Sequence, residues 1–135
     1  MMDIRQIGPD FSVSPQLQPD DMAALARQCF TAVICNRPDG EEPGQPDVAS
    51  MRQAAERAGL AFHHIPVSGG FFSEPAVAAF KAVRRGTEGR TIAYCRTGTR
   101  SVTLDALANP HGQDRETLLT SAQAAGYDLA AVLAG

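Results

Sequence analysis

Continuous apolar runs mark the strands of this chain. The runs at residues 31–35, 60–67 and 91–94 are typical of strands that are buried on both faces of a parallel sheet. Residues 4–13 alternate more loosely around Gly8-Pro9-Asp10, which predicts a short hairpin or two edge strands. The chain is therefore predicted to form a sheet whose central strands are parallel.

Segments with apolar residues at helical spacing separate these strands. Pro19-Asp20-Asp21 opens the first helix, because proline suits the first turn and carboxylates favour its positive end. The second helix is predicted to begin at Asp47 or Ser50 and to end at Gly59, and the third is predicted to begin at Glu74. Three further helices are predicted over 101–108, 115–125 and 129–133. This alternation predicts an α/β fold with a mostly parallel central sheet flanked by helices. No repeat or low-complexity segment divides residues 1–135, so we expect one domain.

Three interruptions of the pattern fall where predicted strands end. They are the loops at 36–42 and 68–72 and the loop that starts at Cys95. Ligands of parallel sheets bind at the carboxyl ends of the strands. We therefore expect these three loops to converge on one site.

The charge and the cysteine content of the chain limit the kinds of molecule that it is expected to bind and the compartment in which it is expected to occur. The net charge of −3 and the sequence pI near 5.5 argue against nucleic acid or an anionic membrane as the main partner. The chain has no apolar stretch of membrane-spanning length and no signal-peptide pattern. Its three cysteines are an odd number, which favours reduced thiols and a cytoplasmic location over a disulfide framework.

The segment Cys95-Arg96-Thr97-Gly98-Thr99-Arg100-Ser101 carries the candidate chemistry. A cysteine that ends a strand, followed by a glycine turn and a helix start, places backbone N–H groups and the helix dipole around an anion. The same field stabilises a thiolate. We predict Cys95 as the nucleophile and Arg100 as its catalytic partner. The remaining predicted anion ligands are Arg96, Thr97, Gly98, Thr99, Ser101 and Arg37. No metal or other cofactor is predicted.

Two reactions use such a site, and the length of the loop separates them. In phosphoryl transfer the thiolate forms a phosphocysteine, and the loop holds three phosphoryl oxygens. In sulfur transfer it takes a sulfane sulfur from thiosulfate, a persulfide or a polysulfide. The sequence resembles the active loop of single-domain rhodaneses. It also resembles the dual-specificity phosphatase loop, but four residues separate Cys95 from Arg100 where that motif has five, and Tyr94 stands in place of histidine.

A longer run of motifs resembles one family. The segments Cys35–Pro43, Gly59-Leu60, His64–Val67 and Tyr94–Ser101 are similar to the phosphatase-like domain of beta-lactamase-hydrolase-like proteins, also labelled sulfur transferases. The resemblance implies a tyrosine-phosphatase-like fold. Some members are fused to a persulfide dioxygenase, which implies that enzyme or another sulfur-relay protein as a partner. The chain lacks the metal motif of the dioxygenase, so we expect a stand-alone version.

The expected function follows from the loop and from a missing acid. In dual-specificity phosphatases an aspartate on the loop before the cysteine strand protonates the leaving group, but residues 67–73 contain no carboxylate. We therefore expect a cysteine-dependent, rhodanese-like sulfurtransferase. The alternatives are a tyrosine or dual-specificity phosphatase-like hydrolase and a non-catalytic anion-binding or persulfide-carrier module. In each case the partner is a small sulfur or phosphate anion. Asp39, His64 and Cys35 are candidate accessory residues.

Overall fold

The computed structural model describes residues 2–133. Five strands and five helices alternate after an initial strand pair. In chain order they are β1 Arg5–Gly8, β2 Phe11–Ser14, α1 Asp21–Arg27, β3 Phe30–Cys35, α2 Val48–Arg57, β4 Ala61–His64, α3 Glu74–Gly86, β5 Arg90–Tyr94, α4 Thr99–Ala108 and α5 Arg115–Ala124. None of the helices within these described residues is long and apolar enough to cross a membrane.

The strands form one sheet in the order β1-β2-β5-β3-β4. Only the β1–β2 pair is antiparallel, and the other three pairs are parallel. The predicted mostly parallel sheet is confirmed, and so is the pair of strands within residues 4–13. Because β5 lies between β2 and β3, the loop that follows it leaves from the middle of the sheet.

Helices cover both faces of the sheet. In β3, Val33 packs into a cluster with residues of α1 and α2, whereas its neighbour Ile34 packs against α3, α4 and α5. Ile92 and Ala93 of β5 divide between the two clusters in the same way. Successive side chains of a strand point to opposite faces, which explains why these strands are continuously apolar in the sequence.

Local signals set the ends of α2 as predicted. Asp47 accepts a hydrogen bond from the backbone N–H of Ser50 (2.7 Å) and caps the first turn. Gly59 has a φ of +83°, and the N–H of Leu60 returns to the carbonyl of Ala55 (2.9 Å). This is the geometry with which a glycine ends a helix.

Two predicted elements differ in the structure. The strand predicted over 60–67 ends at His64, because its partner strand β3 ends at Cys35, the residue that pairs with His64. Beyond that point Ile65 and Val67 still donate to the carbonyls of Cys35 and Asn36. The helix predicted over 129–133 is wrong. That segment forms one turn, closed by a single bond from Leu133 N–H to Leu129 (3.0 Å), which is too little to offset helix nucleation.

The helix that follows the cysteine loop is the most enclosed of the five. Seven of its ten residues are buried. Asp105 on this helix binds Nε of the buried Arg84 on α3 at 3.0 Å. The same guanidinium lies 4.2 Å from the ring centroid of Phe11 on β2. Helix α4 is thus packed against α3 and against the central strand β5.

Candidate active site

The three loops that follow β3, β4 and β5 meet at the carboxyl edge of the sheet, as the sequence predicted. They enclose an open cleft of about 600 Å³. Its lining residues are Arg37, Glu41 and Glu42 from the first loop, Gly69 from the second, and Arg96, Thr97, Thr99 and Arg100 from the third. Three arginines and two glutamates therefore dominate the cleft.

Cys95 lies at the base of the cysteine loop, directly after β5, and is fully buried. Its sulfur accepts a hydrogen bond from the backbone N–H of Gly98 (3.1 Å). Gly98 has a φ of +92° and is the N-cap of α4, so α4 begins at Thr99, two residues before the predicted start. The loop thus turns a backbone N–H and the positive end of a helix towards the sulfur.

Arg100 lies in the first turn of α4, and hydrogen bonds from its two terminal nitrogens, Nη1 and Nη2, hold its guanidinium in place. Its Nη1 donates to the carbonyl of Val67 (2.7 Å) and to Oε2 of Glu41 (2.8 Å), and its Nη2 donates to Oε1 of Glu41 (2.9 Å). The hydrogen bond to Glu41 is the main cause that raises the pKa of Arg100, and the charge of the nearby Cys95 sulfur raises it further. The guanidinium is therefore close enough to both the Glu41 carboxylate and the Cys95 sulfur to place positive charge beside the predicted nucleophile.

Glu41 bridges two arginines. Its Oε1 also accepts a bond from Nε of Arg37 (2.7 Å). The hydrogen bonds from Arg100 and Arg37 lower the pKa of Glu41 to about 2, so this carboxylate is ionised at neutral pH. Its charge holds Arg100 in place from the side of the 36–42 loop.

Arg37 is almost completely buried, and protein groups bind all three of its nitrogens. Besides Glu41, its partners are Gln16, whose Oε1 accepts from Nη1 (2.9 Å), and Glu42, which accepts from Nη2. This arrangement makes Arg37 a support for the two glutamates. Its predicted role as a direct anion ligand stays a prediction, and a ligand would have to share its guanidinium with these partners.

Arg96 is the most exposed cation of the cleft. Its side chain is 64% exposed, against 15% for Arg100, and its Nε lies 3.4 Å from Oε1 of Glu42. Nearby, the hydroxyls of Thr97 and Thr99 are bonded to each other (3.0 Å). The predicted ligands Arg96, Thr97 and Thr99 therefore lie together on the open side of the loop.

Ser101, which is also a predicted anion ligand, is buried beneath the cysteine loop and not exposed in the cleft. Its hydroxyl is buried and donates to Oδ1 of Asn36 (2.8 Å). Asn36 in turn donates from Nδ2 to the carbonyl of Ile65 (2.8 Å) and from its backbone N–H to Tyr94 (2.8 Å). Sequence reasoning assigned Asn36 no role; the only signal was a polar amide placed directly after a buried strand.

The three predicted accessory residues all stabilise the loop between β3 and α2. Asp39 accepts a bond from the N–H of Val48 (2.8 Å) at the start of α2. Nε2 of His64 (3.0 Å) and the thiol of Cys35 (3.4 Å) both contact the carbonyl of Arg37. Burial raises the pKa of Cys35, so it remains a thiol.

Among the described residues that line the cleft, no carboxyl group holds a proton at neutral pH. The two carboxylates of the cleft are Glu41 and Glu42, and hydrogen bonding to Arg37 also lowers the pKa of Glu42. In residues 2–133, no group of three or more His, Cys, Asp or Glu side chains is placed to hold a metal ion. The site can thus supply a sulfur nucleophile, oriented N–H groups and positive charge.

The family model of the phosphatase-like domain of beta-lactamase hydrolase-like protein matches residues 3–112. The chain belongs to this family. A beta-lactamase hydrolase-like protein of Xylella fastidiosa (strain Temecula1) is 35% identical over 130 residues, which cover 95% of this chain. They cover 30% of the relative, so the chain spans about a third of its length.

Solved structures agree with this assignment. A candidate phosphatase from Neisseria meningitidis Z2491 superposes with a TM-score of 0.84 at 35% identity, covering 97% of this chain and 94% of that one. P. aeruginosa TpbA, solved in complex with phosphotyrosine, gives a TM-score of 0.67 at 16% identity over 93% of this chain and 75% of its own. This member of the phosphatase-like domain family has the predicted tyrosine-phosphatase-like fold.

Proposed function

We propose that this domain is a cysteine-dependent phosphatase of phosphate monoesters with good leaving groups, such as aryl phosphates. The observation that carries the proposal is the placement of Cys95. Its sulfur faces the Gly98 N–H, Arg100 lies beside it, and the fold matches that of a candidate phosphatase over nearly the whole chain. Sulfur transfer, the leading expectation from the sequence, becomes the second candidate.

The reaction would proceed in two displacements. The Cys95 thiolate attacks phosphorus, an S–P bond forms, and the ester P–O bond breaks with its electron pair on the leaving oxygen. Water then attacks the phosphocysteine, the S–P bond breaks, and orthophosphate and the thiolate are regenerated. Backbone N–H groups of residues 96–101 and the guanidinium of Arg100 would stabilise the charge on the transferred group.

The ionised state of Glu41 and Glu42 restricts the substrate. Neither carboxyl holds a proton at neutral pH, and the 68–72 loop contributes none. The leaving oxygen must therefore depart as an anion and take its proton from solvent. Phenolates leave in this way much more readily than alkoxides, which favours aryl over alkyl phosphates.

Sulfur transfer is favoured by a different observation. Only four residues separate Cys95 from Arg100, and a ring of this size suits a single terminal sulfur better than a phosphoryl group. Here the thiolate would attack the outer sulfur of thiosulfate, the S–S bond would break, and sulfite would leave with the electron pair. The Cys95 persulfide would then pass its sulfur to a thiol, to cyanide or to a relay partner such as a persulfide dioxygenase.

One comparison tests both candidates. Purified protein and its Cys95→Ser variant are assayed with p-nitrophenyl phosphate, with an alkyl phosphate, and with thiosulfate plus cyanide. The proposal expects release of phosphate from the aryl ester, slower release from the alkyl ester and no turnover by Cys95→Ser.

The other outcomes each name a different function. Cysteine-dependent thiocyanate formation without phosphate release overturns the phosphatase proposal in favour of sulfur transfer. If neither substrate turns over but the intact mass shows sulfur retained on Cys95 after exposure to thiosulfate, the phosphatase proposal also fails and a persulfide carrier is supported.

A further inference from the structure

The chain that follows α5 turns back beneath the cysteine loop. The N–H groups of Gly126 and Tyr127 return to the carbonyls of Gln123 (3.0 Å) and Ala122 (2.9 Å), and Gly126 has a φ of +97°. These are the two bonds and the left-handed glycine of a Schellman motif. The motif ends α5 and leaves the Tyr127 side chain facing the loop.

The Tyr127 hydroxyl contacts the backbone of the loop. It donates a hydrogen bond to the carbonyl oxygen of Thr97 (3.0 Å). Burial raises the pKa of Tyr127, so the hydroxyl keeps its proton and remains a donor. The guanidinium of Arg5 lies 5.2 Å from the centre of the Tyr127 ring and donates to the carbonyl of Ala125 (3.3 Å), which holds the ring from behind.

The Thr97 carbonyl and the Gly98 N–H belong to the same peptide unit. No peptide bond in the described chain is cis, and in a planar trans unit the C=O and N–H point in opposite directions. A bond that holds the carbonyl towards Tyr127 therefore aims the N–H away from it. That N–H is the one that donates to the Cys95 sulfur at 3.1 Å.

We propose that Tyr127 is a positioning residue that orients the Thr97–Gly98 peptide so that its N–H faces the sulfur of Cys95. Its hydroxyl acts through one rigid unit on the predicted nucleophile. The proposal rests on the nucleophilic role of Cys95, which is common to both candidate reactions. It adds a residue from beyond the segment 3–112 that matches the family model.

The packing around Gly98 supports this arrangement. A Cβ at position 98 would lie 2.2 Å from the Tyr127 hydroxyl oxygen and 3.4 Å from the carbonyl oxygen of Ser14. The hydroxyl thus fills the space directly under the glycine. This close approach requires both the absence of a side chain at position 98 and the presence of a ring with a polar tip at position 127.

The Tyr127→Phe variant tests the proposal, since it keeps the ring and removes the hydroxyl. The readout is the backbone amide of Gly98, measured by its proton chemical shift and its hydrogen-exchange rate in the full chain. We expect the shift to move upfield and exchange to accelerate about threefold to tenfold, the effect of losing one hydrogen bond. Tyr94→Phe is the matched control, because it removes the other buried phenol without touching the Thr97 carbonyl.

A second pair of variants separates positioning from a general loss of stability. Cys95→Ala should move the Gly98 amide resonance strongly in the native chain and much less in the Tyr127→Phe background, where the N–H no longer faces the sulfur. Equal movement in both backgrounds contradicts the proposal. So does a Gly98 signal that Tyr94→Phe changes as much as Tyr127→Phe. These signals require no turnover, so they decide the role of Tyr127 even if neither proposed reaction occurs.

Discussion

Ser101 donates its hydroxyl to the side-chain oxygen of Asn36 over 2.8 Å, and this bond ties the first turn of α4 to the end of β3. Asn36 also binds Ile65 and Tyr94. Asn36 therefore joins the end of β3 to the end of β5 through its backbone N–H, and to α4 and the segment after β4 through its side-chain amide. The loops that line the cleft are therefore also linked to each other by buried hydrogen bonds beneath it.

Asn36→Ala should destabilise the protein by about 2–3 kcal/mol, because it leaves the Ile65 carbonyl and the Ser101 hydroxyl buried without their partner. The free energy of unfolding is measured by urea denaturation. Ser101→Ala removes one of the same bonds and no backbone contact, so it should cost only about 1 kcal/mol. Equal costs for the two variants would contradict the central role of Asn36.

Arg100→Lys should lower kcat/KM for p-nitrophenyl phosphate by about 10- to 100-fold, because an ammonium cannot bind Glu41 through two nitrogens and a ligand through a third. Steady-state kinetics measure the loss. Arg57→Lys, at an exposed position of α2, should leave the rate unchanged. A loss of less than twofold in Arg100→Lys would refute the assignment of Arg100.

Glu41→Gln should make the protein less stable at neutral pH by about 1.5–3 kcal/mol, the size of a hydrogen bond to a charged group. The pKa of this carboxyl falls from 4.5 to about 2 on folding. The stabilisation is therefore fully present above about pH 4.5 and is lost as the pH falls towards 2. Urea denaturation at several pH values should show the gap between native and variant closing over this range, whereas the exposed Glu56→Gln control should show no such gap.

Gly98→Ala should lower the stability of the protein, measured as its free energy of unfolding, by more than Gly112→Ala. Both glycines have positive φ, so an added methyl group strains the backbone at either position. Nothing lies within 4 Å of a Cβ at 112, whereas one at 98 collides with Tyr127. We expect Gly112→Ala to lower stability by about 1 kcal/mol and to retain activity, and Gly98→Ala to abolish activity. An active Gly98→Ala enzyme would show that the loop tolerates a displaced tyrosine.

Sequence patterns predicted the elements whose causes are local. The side chain of Asp47 caps the start of α2, and the left-handed backbone of Gly59 ends the helix. In the same way, the apolar runs located β3 and β5. The cysteine loop was equally visible, because its chemistry lies within seven consecutive residues. The end of β4 shows the limit of such patterns: the apolar run continues to Val67, but the strand ends at His64, opposite the last residue of β3.

The partners within the site could not be predicted in this way. Glu41 and Arg100 are 59 residues apart, Asn36 and Ser101 are 65 apart, and Tyr127 and Thr97 are 30 apart. No periodicity links such pairs, since only the strand order and the helix packing bring them together. For the same reason the sequence did not predict that Glu41, Glu42 and Gln16 bind the guanidinium of Arg37.

The burial of α4 has a consequence for how a substrate enters. The cysteine loop runs directly into a helix in which seven of ten residues are buried, and the Arg84–Asp105 ion pair ties that helix to α3. A substrate reaches Cys95 through the open cleft, whose opposite wall carries Glu41, Glu42 and Gly69. The site thus joins a nucleophile on the most enclosed part of the fold to a wall of exposed loops, and Glu41 links the two through Arg100.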